Sequence, residues 1–72
     1  MVLSMIGEHA GLVWKVLENG EKMDFTQLKK ATELSEGELA AAMGWLAREG
    51  KLTAEEVKKG RKMVEAYSLV AE

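Results

Sequence analysis

Hydrophobic residues recur at helical intervals in the first quarter of the chain. Intervals of four and three residues predict helix 1 over about residues 5–19, with an inner face of Ile6, Ala10, Val13 and Leu17 and with Trp14 at its flank. Ser4 is the expected N-cap residue, because a serine hydroxyl can accept a hydrogen bond from a free amide of the first turn. Gly20 is placed where a left-handed residue commonly ends a helix.

The segment "MDFTQL" predicts the start of helix 2, which we expect over about residues 25–32. Asp24 and Gln27 have the spacing of a capping box, in which each side chain satisfies the backbone amide of the other. Met23 and Leu28 flank this box as a hydrophobic staple. The helical spacing assigns the buried side of this helix to Phe25, Leu28 and Ala31.

The segment "LSEGEL" repeats the device at the start of helix 3, expected over about residues 36–49. Ser35 and Glu38 form the predicted capping box, and Leu34 and Leu39 the staple. Gly50 follows as the stop signal. The inner stripe is Leu39, Ala42, Met43 and Leu46. Two short helices joined by about three residues predict a helix-turn-helix.

The last third, "GKLTAEEVKKGRKMVEAYSLVAE", has two interpretations. Leu52 and Ala54 alternate with polar residues before "KKGR", and Tyr67 and Leu69 do so after it, which favours two strands over about 51–56 and 63–70. Most residues between 54 and 67 are strong helix formers, which favours a fourth helix. Local propensity favours the helix, whereas a hairpin would cover the open side of three helices. The residues alone leave both open.

The run "IGEHAGLVWKVL", followed by "FTQLKKATELSEGELAAAMGWLAREGKL", resembles a small bacterial and archaeal family of winged helix-turn-helix proteins without an assigned function. The similarity covers about residues 6–52, and "GWLAREGK" is its most specific part. The resemblance implies an α+β fold that is mostly helical, with three helices followed by a C-terminal β-hairpin wing. It favours the hairpin over the fourth helix, and by analogy it implies a role linked to transcription.

Composition narrows the class of protein. The chain has 72 residues, of which 47% are hydrophobic and 31% charged, and these values predict one folded domain rather than disorder. It has no cysteine, which fits a cytoplasmic protein and excludes disulfides and thiolate metal sites. The N-terminal segment lacks the pattern of a signal peptide or a membrane span. The net charge of −2 is not that of a strong nucleic-acid binder.

The positive charge is concentrated in the C-terminal third, and double-stranded DNA is the partner that it suggests. We expect phosphate contacts from the wing and from its approach, namely Lys58, Lys59, Arg61, Lys62, Arg48 and Lys51. Lys29 and Lys30 of helix 2 are either further backbone contacts or ordinary surface lysines. Direct reading of bases by helix 3 is not expected, because its outward side offers only Arg48 as a base-reading residue.

The outward side of helix 3 supports a competing hypothesis. Its small residues allow a second backbone to come close, and a tryptophan adds apolar area; the set is Gly37, Ala40, Ala41, Gly44 and Trp45. We therefore weigh a protein-interaction module that dimerises through helix 3 and does not read DNA bases. The opposing interpretation is that Trp45 and Ala40 pack against the wing of their own chain, and that Gly44 accommodates helix 1.

No enzyme is expected. His9 is the only histidine, so neither a histidine metal site nor a nucleophile–base pair is expected. On a strand, the adjacent Glu55 and Glu56 would point to opposite faces, so they would not form an acid–base pair. No cofactor, metal, small-molecule substrate or membrane is predicted.

Overall fold

The computed structural model describes residues 3–70, which form three α-helices and a three-stranded antiparallel sheet. A short 3-10 turn, Leu3–Met5, leads into α1 (Ile6–Leu17). It is followed by β1 (Met23–Asp24), α2 (Phe25–Thr32) and α3 (Glu36–Arg48). The hairpin consists of β2 (Leu52–Lys59) and β3 (Lys62–Leu69). The predicted α+β architecture of three helices followed by a hairpin is confirmed.

Both predicted capping boxes are present. Asp24 Oδ1 accepts from the Gln27 amide at 2.8 Å, and the Asp24 amide donates to Gln27 Oε1 at 2.9 Å. At α3, Ser35 Oγ accepts from the Glu38 amide at 3.2 Å, and the Ser35 amide donates to Glu38 Oε1 at 2.9 Å. Each box satisfies amides that the first turn of a helix leaves free, so both helix starts are determined locally.

The prediction that Ser4 caps α1 is wrong. Ser4 lies within the 3-10 turn, the N-cap position is Met5, and no side chain caps this helix. Gly20 does adopt the left-handed conformation, with φ 85°, and its amide donates to the Leu17 carbonyl at 3.1 Å. The helix itself ends at Leu17 rather than near residue 19.

The turn between α2 and α3 is made by a non-glycine residue in the left-handed region. Glu33 has φ 59°, and its amide donates to the Lys29 carbonyl at 2.9 Å. This conformation ends α2 at once and places Ser35 two residues later at the start of α3. The helix-turn-helix therefore contains the short connection that the sequence predicts.

The core lies between the three helices and one face of the sheet. Its most deeply buried members are Val13, Leu17, Leu28, Leu39 and Ala42. Leu52, Tyr67 and Leu69 of the hairpin pack against them. One assignment is wrong, because Ala31 is exposed on α2 while Phe25 is half-buried. The inner stripe predicted for helix 3 is buried throughout.

The hairpin forms in spite of helical propensity because Leu52, Tyr67 and Leu69 pack against the core from one face of the sheet. Leu52 pairs with Leu69 and Ala54 with Tyr67, so these side chains lie on one face of the sheet. The fourth-helix interpretation is therefore wrong. The strands are also more closely connected than predicted, since only Gly60 and Arg61 separate them. Gly60 has φ 64°, as the first central residue of a type II′ turn requires.

The two-residue strand β1 has no counterpart in the sequence predictions. It pairs with β3, through Met23 with Tyr67 and Asp24 with Ala66, and the sheet order is β1-β3-β2. The wing is thereby joined to the segment that begins the helix-turn-helix. None of the helices within residues 3–70 is long and apolar enough to span a membrane.

Candidate nucleic-acid interface

The outward side of α3 carries almost no side chain that can read a base. Gly37, Ala40 and Gly44 are exposed and Ala41 is half-buried, so the surface is flat. Arg48 is exposed in the last turn of the helix. Because alanine and glycine offer no hydrogen-bonding groups beyond the backbone, this surface lacks the donors and acceptors that distinguish base pairs.

The acidic residues at the start of α3 are engaged within the chain. Glu36 accepts from Lys29 Nζ at 3.4 Å, which joins α3 to α2. Glu38 belongs to the capping box, and its Oε2 lies 3.9 Å from His9 Nε2 of α1. Hydrogen bonds from the backbone and side chain of Ser35 hold the pKa of Glu38 below its usual value, so this carboxylate stays charged. These carboxylates would repel a phosphate backbone at this end of α3.

His9 is a buried residue rather than a surface one. It is 7% exposed, and its Nδ1 has no hydrogen-bond partner within residues 3–70. From α1, the His9 side chain faces the start of α3. Residues 3–70 contain no group of three or more histidine, cysteine or carboxylate side chains that could hold a metal ion.

The wing tip presents the densest group of exposed cations. Lys58, Arg61 and Lys62 are all exposed around the turn at Gly60. Within residues 3–70, no carboxylate forms an ion pair with any of these three side chains. They are therefore available to an anionic partner in solution.

Lys59 differs from its neighbours because it is bound within the chain. Its Nζ donates to Asp24 Oδ2 at 2.7 Å. This hydrogen bond is the main cause that holds the pKa of Asp24 below its usual value, and the Gln27 amide acts in the same direction. The Lys59 side chain still keeps 59% of its accessible surface. Its first role is to tie the wing to the N-cap of α2.

Other predicted phosphate contacts are dispersed. Lys51 is half-buried between α3 and β2, where its amide donates to the Leu46 carbonyl at 2.9 Å. Lys29 and Lys30 are exposed on α2, beside a shallow groove that also involves Thr26, Glu33 and Leu34. Lys29 is partly neutralised by Glu36. The structure thus groups the wing-tip cations around one turn and places Lys29 and Lys30 on another element, α2.

Sequence reasoning missed the ion pairs that fix the wing. Lys22 forms an ion pair with Glu55, and Lys59 forms one with Asp24. Both connect residues that are far apart in the chain, so no local spacing reveals them. The single usable signal was the presence of Lys22 and Asp24 next to the apolar Met23, which is the alternation of a short strand.

A helix-turn-helix followed by a hairpin that packs on its open side is the winged helix-turn-helix fold. Residues 1–65 match the sequence model of the family described as "Winged helix-turn-helix domain (DUF2582)". The chain belongs to this family. This match confirms the resemblance of the sequence to a winged helix-turn-helix family.

The fold is shared with a solved structure, Stf76 from the Sulfolobus islandicus plasmid-virus pSSVx. The two chains have a TM-score of 0.75 and 16% sequence identity, over 85% of this chain and 79% of Stf76. At this identity the similarity shows the fold alone. No curated protein matches the chain. Membership of a winged helix-turn-helix family suggests a DNA-binding, regulator-like module.

Proposed function

We propose that this protein binds double-stranded DNA through its phosphates, with the wing tip as the principal contact, as a module of the transcription-regulator class. The observation that carries the proposal is the exposure of Lys58, Arg61 and Lys62 around one two-residue turn, with no ion-pair partner among residues 3–70. Three exposed cations around one turn concentrate positive charge where a phosphate backbone can be contacted.

The expected binding has little sequence preference. Phosphate contacts release counterions from DNA, so affinity falls steeply with salt and does not depend on the bases. The outward side of α3 supplies no base reader before Arg48, and its first turn carries Glu36 and Glu38. Any preference among sequences would therefore arise from the shape of the groove that receives the wing.

The proposal is tested by fluorescence anisotropy with a random duplex of about 20 base pairs over a series of salt concentrations. Replacing Lys62 by alanine removes one phosphate contact, so the slope of log affinity against log salt falls by about 1. Lys15→Ala is the matched control, because Lys15 is an exposed lysine on α1 outside the wing. Equal slopes for the two variants would contradict a wing-centred contact.

A second candidate function is protein association through the face of α3 formed by Gly37, Ala40, Ala41, Gly44 and Trp45. Trp45 is 47% exposed, which is unusual for a large aromatic side chain. A methyl group added at Gly44 would meet no atom within 4 Å, so neither helix 1 nor the wing accounts for this glycine. Both observations favour an external partner, including a second copy of the chain.

This candidate is tested by Ala41→Glu, which places a charge in the centre of the face. Loss of a dimer in light scattering would support the α3 interface, and an unchanged mass would contradict it. Ala31→Glu is the control, since Ala31 is an exposed alanine on α2. Salt-sensitive DNA binding that survives Ala41→Glu would favour the first candidate over the second.

A further inference from the structure

Strand β2 is an open edge of the sheet. The strand order β1-β3-β2 gives β2 a neighbour on one side only. Along the other side, alternate residues of Leu52–Lys59 direct their amide and carbonyl groups away from β3. An exposed edge of eight residues is a template for another strand, unless its side chains prevent pairing.

The charges along β2 are complementary to those of a second β2 strand that runs in the opposite direction. Residues 55–59 read Glu-Glu-Val-Lys-Lys. We propose that β2 pairs antiparallel with β2 of a second copy, with a two-fold axis at Val57. Glu56 then lies opposite Lys58 of the other copy, and Glu55 opposite its Lys59. The axis generates each contact twice, which gives four pairs of opposite charge.

Charge also favours this register over the two registers next to it. Two residues that lie opposite each other in an antiparallel pair must both direct their backbone amide and carbonyl groups toward the other strand, or both direct them away from it. For two identical strands related by a two-fold axis, this condition is met only when a residue lies on the axis. Moving the axis by one residue, to Glu56, would set two glutamates against each other. Moving it to Lys58 would do the same with two lysines. Among these three registers, the one at Val57 alone has no like charges at its centre.

The side chains that distinguish this register are available. Glu56 and Lys58 are exposed, and neither has an ion-pair partner within residues 3–70. Glu56 also lies opposite Glu65 of β3, and a lysine from a second copy would relieve this repulsion. On the opposite face of the strand, Glu55 and Lys59 already pair with Lys22 and Asp24. In the dimer, the contacts between Glu55 of one copy and Lys59 of the other would add to these existing ion pairs.

This association is separate from DNA binding, although Lys58 belongs to both surfaces. It also differs from the α3 face, since β2 and α3 offer different side chains. Because only residues 55–59 overlap within the strands, the dimer is expected to be weak and dependent on concentration.

Sedimentation equilibrium of the full chain, up to millimolar concentration, tests the inference with exchanged charges. Glu56→Lys alone and Lys58→Glu alone each place two like-charge contacts at the interface, and each is expected to weaken dimerisation about tenfold. The double variant restores opposite charges and is expected to dimerise like the parent. An equimolar mixture of the single variants is expected to form the heterodimer. Both positions are exposed, and amide spectra verify that each variant folds.

A monomeric parent chain throughout this range would overturn the inference. So would single variants that dimerise as well as the parent, because the dimer would then use another surface. The outcomes are distinguishable from a failure of the proposed function. Glu56→Lys is expected to lose the dimer and keep DNA binding, whereas Lys62→Ala is expected to weaken DNA binding and keep the dimer.

Discussion

The ammonium group of Lys59, at the end of β2, donates a 2.7 Å hydrogen bond to Asp24, the residue that caps α2. Asp24 thus has two functions, since one oxygen begins the first helix of the helix-turn-helix and the other holds the wing. The ion pair between Lys22 and Glu55 joins the same two parts of the chain. The wing is therefore connected to the start of α2 by side chains as well as by the β1–β3 pairing.

The first prediction concerns the pH dependence of this link. The pKa of Asp24 is lower in the folded chain than its usual value. The charged carboxylate therefore stabilises the fold fully at pH values above the usual pKa. This contribution is lost as the pH falls through the lowered pKa. Asp24→Asn should therefore be less stable than the parent at about pH 7, and the difference should vanish at about pH 2. Urea unfolding at both pH values measures it, and a difference that persists in acid would contradict the account.

The second prediction concerns the helix caps. Ser35→Ala removes the hydroxyl that accepts from the Glu38 amide, so it should lower the free energy of unfolding by about 1 kcal/mol. Ser4→Ala is the control, because Ser4 lies in the 3-10 turn and does not cap α1. Its effect should stay within about 0.5 kcal/mol. Equal losses for both variants in urea unfolding would mean that Ser4 does have a capping role.

The third prediction uses two glycines that differ in conformation. Gly44 lies inside α3, and a methyl group on its α-carbon would enter open space, so Gly44→Ala should raise the stability of the isolated chain by about 1 kcal/mol. Gly50 has φ 71°, so Gly50→Ala should lower it. Thermal unfolding measures both. A destabilised Gly44→Ala at high protein concentration, with no such effect at low concentration, would indicate that a second molecule packs there.

The fourth prediction concerns Tyr67, the only tyrosine of the chain. Its hydroxyl donates to Glu65 Oε1 at 2.6 Å, and this hydrogen bond is the main cause that raises the pKa of Tyr67 to about 12. Glu65→Gln removes the charge and should lower the pKa toward 10.0. Ultraviolet titration follows this single group. The stabilising effect of the protonated hydroxyl should be present below the usual pKa and be lost as the pH rises through about 12. An unchanged titration curve in Glu65→Gln would contradict the assignment.

The parts of the fold that sequence reasoning predicted are those determined within a few residues. The two capping boxes depend on side chains three positions apart, and the stripe of Leu39, Ala42, Met43 and Leu46 depends on helical spacing alone. The predicted cap at Ser4 is the exception, although serine is a residue type that commonly caps helices. The chain before α1 instead forms a 3-10 turn, in which its hydroxyl has no capping role.

The parts that escaped prediction depend on contacts between distant segments. β1 is only two residues long and exists because β3 lies beside it. The same packing overrides the helical propensity of residues 54–67, because Tyr67 and Leu69 gain burial against the helices only as a strand. For the candidate site, the cluster of basic residues was visible in the sequence. That Lys59 is held by Asp24 was not, because the two residues are 35 positions apart.

Contact between the wing tip and DNA phosphates can be tested directly. The most direct measurement is a titration of the isotope-labelled chain with a random duplex of about 20 base pairs at low salt, followed by amide shifts in NMR. We expect shifts at residues 58–62 and along the exposed side of α3, and these shifts should fade together as salt is added. An absence of shifts even at low salt would contradict DNA binding by the wing tip. It would direct attention to protein partners of the α3 face formed by Gly37, Ala40, Ala41, Gly44 and Trp45.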